Sequence, residues 1–195
     1  MPTADQQFIT IVSGLPRSGT SMMMRMLEYG GMPILTDGIR TADDDNPRGY
    51  YEFEPVKRLD RDVSWLAAAY NKAVKIIYIF LYRLPAGHRY KVLFLRRSLD
   101  EVVASQKVML HRRQEASRLT DRQLIDSYHD QIQRLNSWIR HQENFEILYL
   151  DYHEILSEPA GAVLDITRFL GVPLNTSAMI QAVEPALHRN RSAVR

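Results

Sequence analysis

Short apolar runs alternate with helix-like segments along most of the chain. Residues 8–13 (FITIVS), 91–95 (KVLFL) and 146–150 (EILYL) are runs of this kind, and such runs are typical of strands buried on both faces of a parallel sheet. A segment with helical periodicity follows each of them. Repeated strand-then-helix order predicts an α/β fold in three layers, a parallel β-sheet flanked by helices. The ligand site of such a sheet lies at the carboxyl ends of its strands.

Capping patterns mark the ends of the predicted helices. Residues 20–29 place apolar side chains on one face and stop at a pair of glycines, as expected for a helix that directly follows the first strand. Two capping-box pairs, Ser98 with Glu101 and Thr120 with Gln123, predict the start of two further helices. A proline-initiated helix is predicted after the last strand.

The pattern is weaker between the first helix and the second long strand. Residues 34–35 predict a short strand, and residues 36–50 are rich in aspartate and turn residues, which predicts a long loop. Residues 73–84 form an apolar run interrupted by Lys75 and Arg83. This run is too short to cross a bilayer, so we expect a core element and no membrane span. Lys75 either directs its charge into the ligand cleft or lies at the sheet edge.

The composition is that of an ordinary globular protein. The 195 residues, 45% of them hydrophobic, suffice for a well-packed core, and we expect a single domain over residues 1–195. A net charge of +2 indicates no nucleic-acid partner. The absence of cysteine excludes disulfides and thiolate nucleophiles. The N-terminus lacks a signal-peptide pattern, which predicts a cytoplasmic protein, and the six histidines lack metal-ligand spacing, so we expect no metal.

A phosphate-binding loop pattern follows the first strand. Gly14, Gly19 and Ser21 occupy the glycine and serine positions of a P-loop, but Thr20 stands where that pattern has lysine. Successive backbone N–H groups and a helix N-terminus still form an anion site. The strand at 91–95 ends in arginines, where a nucleoside triphosphatase has an aspartate that helps to hold magnesium. The pattern therefore favours anion binding without metal, although such a turn by itself can be purely structural.

These residues resemble the first signature of the sulfotransferase family, in its short bacterial form, and the resemblance extends from residue 8 to about residue 174. It implies a P-loop nucleotide-binding, sulfotransferase-like fold and the sulfuryl donor 3′-phosphoadenosine 5′-phosphosulfate (PAPS). In the family, this loop and the start of the helix grip the 5′-phosphosulfate. The residues carried over are Arg17, Ser18, Gly19, Thr20 and Ser21. Arg17, where the cytosolic branch has lysine, is also expected to stabilise charge on the leaving phosphate.

Further donor contacts, in three parts of the chain, are implied by the resemblance. The second family signature is an arginine that closes a strand and a serine eight residues later, which together bind the 3′-phosphate, and Arg97 and Ser105 have this spacing. A strand-end guanidinium and a hydroxyl on the next helix can converge on one phosphate. Tyr152 matches the family's tyrosine near the adenine, although an isolated tyrosine at such a position is more often a core residue. In the tail, Arg189 and Arg191 are candidates to close over the 3′-phosphate.

The catalytic base cannot be transferred directly from the cytosolic branch, because the stretch similar to the one that carries its histidine, residues 75–77, contains no histidine. Other branches use a glutamate soon after the second strand, and Glu52 is the nearest equivalent. Glu54 and Asp37 are alternatives for the same role, and an acidic residue in a polar loop is more often solvated than catalytic. Lys75 is the remaining catalytic candidate.

The sequence thus predicts transfer of a sulfuryl group from PAPS to a hydroxyl or amine acceptor, with adenosine 3′,5′-bisphosphate as the second product. The expected acceptor is a small molecule, a carbohydrate or a peptide, and a homodimer is left open. Two other functions are also compatible with the sequence. A P-loop nucleoside or sugar kinase would share the fold, and a non-catalytic module would bind a nucleotide or a protein through the long helix that begins after Thr120.

Overall fold

The computed structural model describes residues 7–43, 46, 49–112, 114, 115 and 117–184. Its centre is a sheet of five strands, all paired in parallel, in the order β2-β3-β1-β4-β5. The strands are β1 (Ile9–Gly14), β2 (Ile34–Leu35), β3 (Ala73–Lys75), β4 (Tyr90–Arg96) and β5 (Phe145–Asp151). The parallel α/β fold predicted from the alternating pattern is confirmed.

Helices cover both faces of this sheet. They are α1 (Thr20–Tyr29), α2 (Leu66–Ala69), α3 (Leu99–Arg112), α4 (Asp121–Ile139), α5 (Tyr152–Ser157), α6 (Pro159–Leu170) and α7 (Thr176–Gln181), with 3₁₀ helices at Glu54–Arg58 and Tyr78–Arg83. On one face, α1, α6 and α7 pack against Val12 and Leu93. On the other, α2, α3 and α4 pack against Ile11 and Phe94. Neighbouring residues of a strand therefore contribute to opposite cores, which explains why the strands are apolar throughout.

Strand β1 lies at the centre and is completely buried. At its carboxyl end, Gly14 is paired in register with Leu95 of β4. A Cβ atom at Gly14 would lie 2.7 Å from the Leu95 carbonyl oxygen and 2.5 Å from the Ser18 hydroxyl. Only glycine fits this close approach of the two strands and the loop. Because the sheet is parallel, the carboxyl ends of β1, β3, β4 and β5 lie at the same edge, where the site was predicted.

The structure refines several predicted elements. The apolar run 73–84 divides into β3 and the second 3₁₀ helix. Strand β3 lies between β2 and β1, so Lys75 is not at the sheet edge. The capping box of α4 is confirmed, since the Thr120 hydroxyl accepts from the Gln123 N–H and the Gln123 side chain accepts from the Thr120 N–H. Within the described ranges, no helix has the length and hydrophobicity to cross a membrane.

Candidate active site

The loop after β1 combines two residues in left-handed backbone conformation with an uncapped helix start. Arg17 has φ 72° and Gly19 has φ 101°. Gly19 is the N-cap of α1 and provides no side-chain cap, so the first N–H groups of α1 point toward the loop without a side-chain acceptor from that position. The loop is closed internally by the Ser18 N–H, which donates to the Leu15 carbonyl at 3.2 Å. The result is a helix N-terminus suited to an anion.

Arg17 links this loop to the residues of the second signature. Its Nε donates to the Ser105 hydroxyl on α3 at 3.0 Å. The Arg17 carbonyl accepts from an Nη of Arg97, just after β4, at 3.1 Å. Arg97 and Ser105, predicted to converge from their spacing, are therefore brought together with the loop. A second guanidinium, that of Arg17, lies between them.

Tyr152, the first residue of α5, packs beneath the same loop. A Cβ atom at Gly19 would lie 2.5 Å from the Tyr152 ring, so the loop can rest on this ring only because position 19 is glycine. The Arg97 guanidinium carbon lies 4.6 Å from the ring centroid. Burial raises the pKa of the Tyr152 phenol, and the Arg97 charge partly opposes this rise. The tyrosine thus supports the loop and Arg97, and its predicted contact with adenine stays a prediction.

Glu101 is a member of the site that the sequence patterns assigned only to helix capping. Its carboxylate accepts from Arg97 Nε at 2.8 Å, and the two side chains are 3% and 7% exposed. His153 Nε2 lies 3.1 Å from the same carboxylate oxygen. The signal available in the sequence was an arginine just after β4 with an acid four residues later, in the first turn of α3.

Glu52 lies on the opposite side of the loop, where β2 and β3 end. Its Oε1 accepts from Arg40 at 2.6 Å and lies 3.9 Å from Lys75 Nζ. The Glu52 side chain is 23% exposed, so it can meet a molecule that enters from solvent. The Thr36 hydroxyl donates to the Glu52 carbonyl at 2.8 Å and holds this part of the chain beside the sheet.

Lys75 occupies the space between Glu52 and the loop. Its ammonium donates to the Tyr50 carbonyl and to the Ser21 hydroxyl, the latter at 3.4 Å. The pKa of Lys75 is lowered to about 8, mainly by burial. The charges of Arg40 and Arg17 contribute to this lowering of the pKa, while Glu52 opposes it. A cation from a neighbouring strand therefore reaches the P-loop, whose own lysine position is threonine.

The long loop before Glu52 folds over the start of α1, which the sequence did not indicate. Asn46 Nδ2 donates to the Ser21 hydroxyl at 2.9 Å. The Arg40 guanidinium lies 3.4 Å from the centroid of the buried Tyr50 ring, and the Tyr50 hydroxyl donates to Asp43 at 2.6 Å. These contacts place Arg40 and Tyr50 next to the predicted base.

The two alternative bases make local contacts. The Asp37 carboxylate accepts from the backbone N–H groups of Ile39 at 3.0 Å and Glu54 at 2.6 Å. The Glu54 carboxylate is paired with Lys57 at 2.5 Å on the surface. Of the three acids, Glu52 is the one whose contacts lead to Lys75, and through it to the P-loop.

The remaining predicted residues differ in their placement. Ser18 is 1% exposed, and its hydroxyl lies under the loop beside Gly14. Thr20 is also buried, at the first position of α1. Arg189 and Arg191 lie outside the described residues. Across the part of the chain that the structure describes, no group of three or more His, Asp or Glu side chains is arranged to hold a metal ion.

Comparison with known proteins identifies the family. The model of the sulfotransferase domain family matches residues 9–192, which is nearly the whole chain. The chain belongs to the sulfotransferase family. The predicted family and its enzyme class, a sulfotransferase, are thereby confirmed. No curated protein sequence matches this sulfotransferase significantly.

Solved structures show the same fold. The sulfotransferase domain of an olefin synthase from Synechococcus PCC 7002 aligns with a TM-score of 0.59 and 14% identity, covering 96% of this chain and 89% of that one. Sulfotransferase STF1 from Mycobacterium tuberculosis gives 0.57 and 19%, covering 90% and 70%. Mouse SULT7A1, solved in complex with PAP, gives 0.54 and 16%, covering 97% and 68%. At these identities the likeness concerns the fold, and it confirms the sulfotransferase-like three-layer architecture.

Proposed function

We propose that this sulfotransferase moves a sulfuryl group from PAPS to a hydroxyl or amine group of an acceptor. The observation that carries the proposal is the convergence of two anion-binding features at one sheet edge. The α1 N-terminus lies beside Arg17, and Arg17 contacts both Arg97 and Ser105. PAPS has two anionic ends, a 5′-phosphosulfate and a 3′-phosphate, which match these two features. That mouse SULT7A1 was solved with PAP supports the same ligand class here.

The binding roles follow from position. The 5′ end fits the N–H groups of the loop and α1, with Arg17 and Ser21 at its rim. The 3′-phosphate fits between Arg97 and Ser105, which already share Arg17 as a contact. Tyr152 supports this arrangement from below and orients Arg97.

The acceptor side is provided by Glu52 and Lys75. PAPS supplies an activated sulfuryl group on a phosphate leaving group. The acceptor oxygen or nitrogen forms a bond to sulfur while the bond from sulfur to the phosphate oxygen breaks, and Glu52 takes the acceptor proton. Lys75 and Arg17 stabilise the negative charge that develops on the departing phosphate. Lys75 Nζ lies 3.9 Å from Glu52 Oε1, so the proton acceptor and this charge stabiliser are separate groups.

Two measurements test the proposal together. Adenosine 3′,5′-bisphosphate should raise the melting temperature, whereas ATP with magnesium should not. Labelled PAPS should transfer its label to at least one member of a panel of alcohols, sugars, amines and peptides, and the rate should be unchanged by a chelator. Stabilisation by ATP alone would favour a kinase. Binding of the bisphosphate without transfer to any acceptor would favour a non-catalytic module.

The wider context of this activity is also part of the proposal. We take residues 1–195 as one catalytic domain that works in the cytoplasm on a small-molecule, carbohydrate or peptide acceptor without a metal. The acceptor approaches Glu52 from its solvent-exposed side, where Arg40 and Tyr50 form the wall of the site. Selectivity in such a site is set by the shape of its loops.

A further inference from the structure

A buried carboxylate lies directly behind the proposed 3′-phosphate site. Glu101 is 3% exposed and accepts from Arg97 Nε at 2.8 Å. Its carboxylate also lies 3.1 Å from Nε2 of His153, which is 45% exposed. By charge alone, an acid at this place weakens the binding of an anion. Its presence therefore calls for a role that outweighs this repulsion.

The contacts of Glu101 form a closed circuit with the donor loop. Glu101 and Ser105 are one turn apart on α3 and face the same way. Glu101 holds Arg97, Arg97 holds the Arg17 carbonyl, and the Arg17 side chain returns to Ser105. This series of hydrogen bonds therefore begins at Glu101 and ends at Ser105, both of which belong to helix α3.

We propose that Glu101 is a positioning residue for PAPS, which acts by fixing the orientation of Arg97. A guanidinium carries its N–H groups in a fixed plane. With Nε bound to Glu101 and one Nη bound to the Arg17 carbonyl, the plane of Arg97 is set, and so is its edge toward the 3′-phosphate. The hydrogen bond from Arg97 to the Arg17 carbonyl also stabilises the left-handed backbone conformation of Arg17, φ 72°. This inference rests on the proposed function, because it concerns the donor site of that reaction.

Two substitutions of equal size separate positioning from charge. Glu101→Gln removes the charge but keeps an oxygen that accepts from Arg97, whereas Glu101→Met removes both. Positioning predicts that Glu101→Met binds adenosine 3′,5′-bisphosphate about 10- to 100-fold more weakly in calorimetry, the range expected for loss of a charged hydrogen bond. Its KM for PAPS should rise while the KM for the acceptor stays constant. Glu101→Gln should bind as well as wild type or better. Asp100→Asn, an exposed acid on the same turn, is the matched control.

A double variant makes the test independent of folding. If Glu101 acts through Arg97, then Arg97→Ala/Glu101→Met, which leaves neither charge unpaired, should bind the bisphosphate as weakly as Arg97→Ala and no more weakly. Losses that multiply would overturn the inference, and so would a folded Glu101→Met that binds like wild type or more tightly. If wild type itself does not bind the bisphosphate, the proposed function fails instead.

Discussion

The two sides of the P-loop are built in different ways. On the donor side, Arg97, Ser105 and Tyr152 come from the ends of β4 and β5 and from α3, and they contact the loop directly. On the acceptor side, Glu52 comes from a long loop, and Lys75 links it to the P-loop. Regular elements fix the first set by their geometry alone. The second set depends on how a loop folds, and loops are where related enzymes vary their substrates.

The two sides also handle buried charge differently. On the donor side, Arg97 is paired with Glu101 at 2.8 Å. On the acceptor side, Lys75 is buried with its nearest acid, Glu52, 3.9 Å away, and its pKa is lowered to about 8. The acceptor side is therefore sensitive to pH near 8.

Substitution of the proposed base should have the largest effect and should act on the acceptor side alone. Glu52→Gln keeps the size of the side chain but cannot take a proton, so kcat should fall by about 10²- to 10⁴-fold. Binding of adenosine 3′,5′-bisphosphate, followed by calorimetry, should stay near wild type. Glu54→Gln and Asp37→Asn are the controls, and a large kcat loss in either, with Glu52→Gln active, would move the base to that residue.

Loss of the buried lysine should reduce the rate while stabilising the fold. Lys75→Met removes a cation from the leaving group, and we expect kcat to fall by about 10²- to 10³-fold. It also removes the cost of burying a charge, so the free energy of unfolding should rise by about 1–3 kcal/mol. Chemical denaturation and transfer assays measure the two effects. A variant that is less stable and equally active would show that Lys75 is structural.

The pH dependence of Lys75 gives a second measurement on the same residue. Activity of the wild type should fall as pH rises through about 8, because Lys75 then loses its proton. The native pKa is below the ordinary value of 10.5, so the unfolded chain binds this proton more tightly. The contribution of Lys75 to the free energy of unfolding therefore rises with pH between about 8 and 10.5. Both trends should be absent in Lys75→Met.

The difference between the two sides also decided what the sequence could predict. The strand-then-helix order followed from the pattern. The pair Arg97 and Ser105 was implied by the family resemblance, and the structure brings both residues to Arg17. Glu101 fitted a capping box, but the pattern did not indicate that its carboxylate also accepts from Arg97. Local sequence also could not reveal that Asn46 reaches Ser21, since that contact depends on the path of a long loop.

Short elements were missed for a related reason. Helices α2, α5 and α7 have only four to six residues, which is too short for a helical period to be recognised. The second 3₁₀ helix lies in a continuous apolar run with β3, where periodicity cannot separate strand from helix. Tertiary packing on the sheet selects the conformation in both cases.

Replacement of the strand-end arginine by lysine should test the geometry of the donor side. Arg97→Lys keeps the charge but cannot donate to Glu101 and to the Arg17 carbonyl from one rigid plane. We expect the KM for PAPS to rise about 10- to 100-fold with little change in the KM for the acceptor. Arg96→Lys, at the exposed neighbouring position, is the control. An Arg97→Lys variant with an unchanged KM would mean that only charge matters at this position.

The smallest effect is expected at Ser105, and it distinguishes two ways in which the donor side can work. Ser105→Ala removes one neutral hydroxyl, so the KM for PAPS should rise only about 3- to 10-fold, and Ser105→Thr should retain most of the affinity. Ser105 also accepts from Arg17 Nε at 3.0 Å. If its main role is to hold Arg17, then Ser105→Ala should add little to Arg17→Ala in a double variant. If the hydroxyl binds the 3′-phosphate independently, the two losses should multiply.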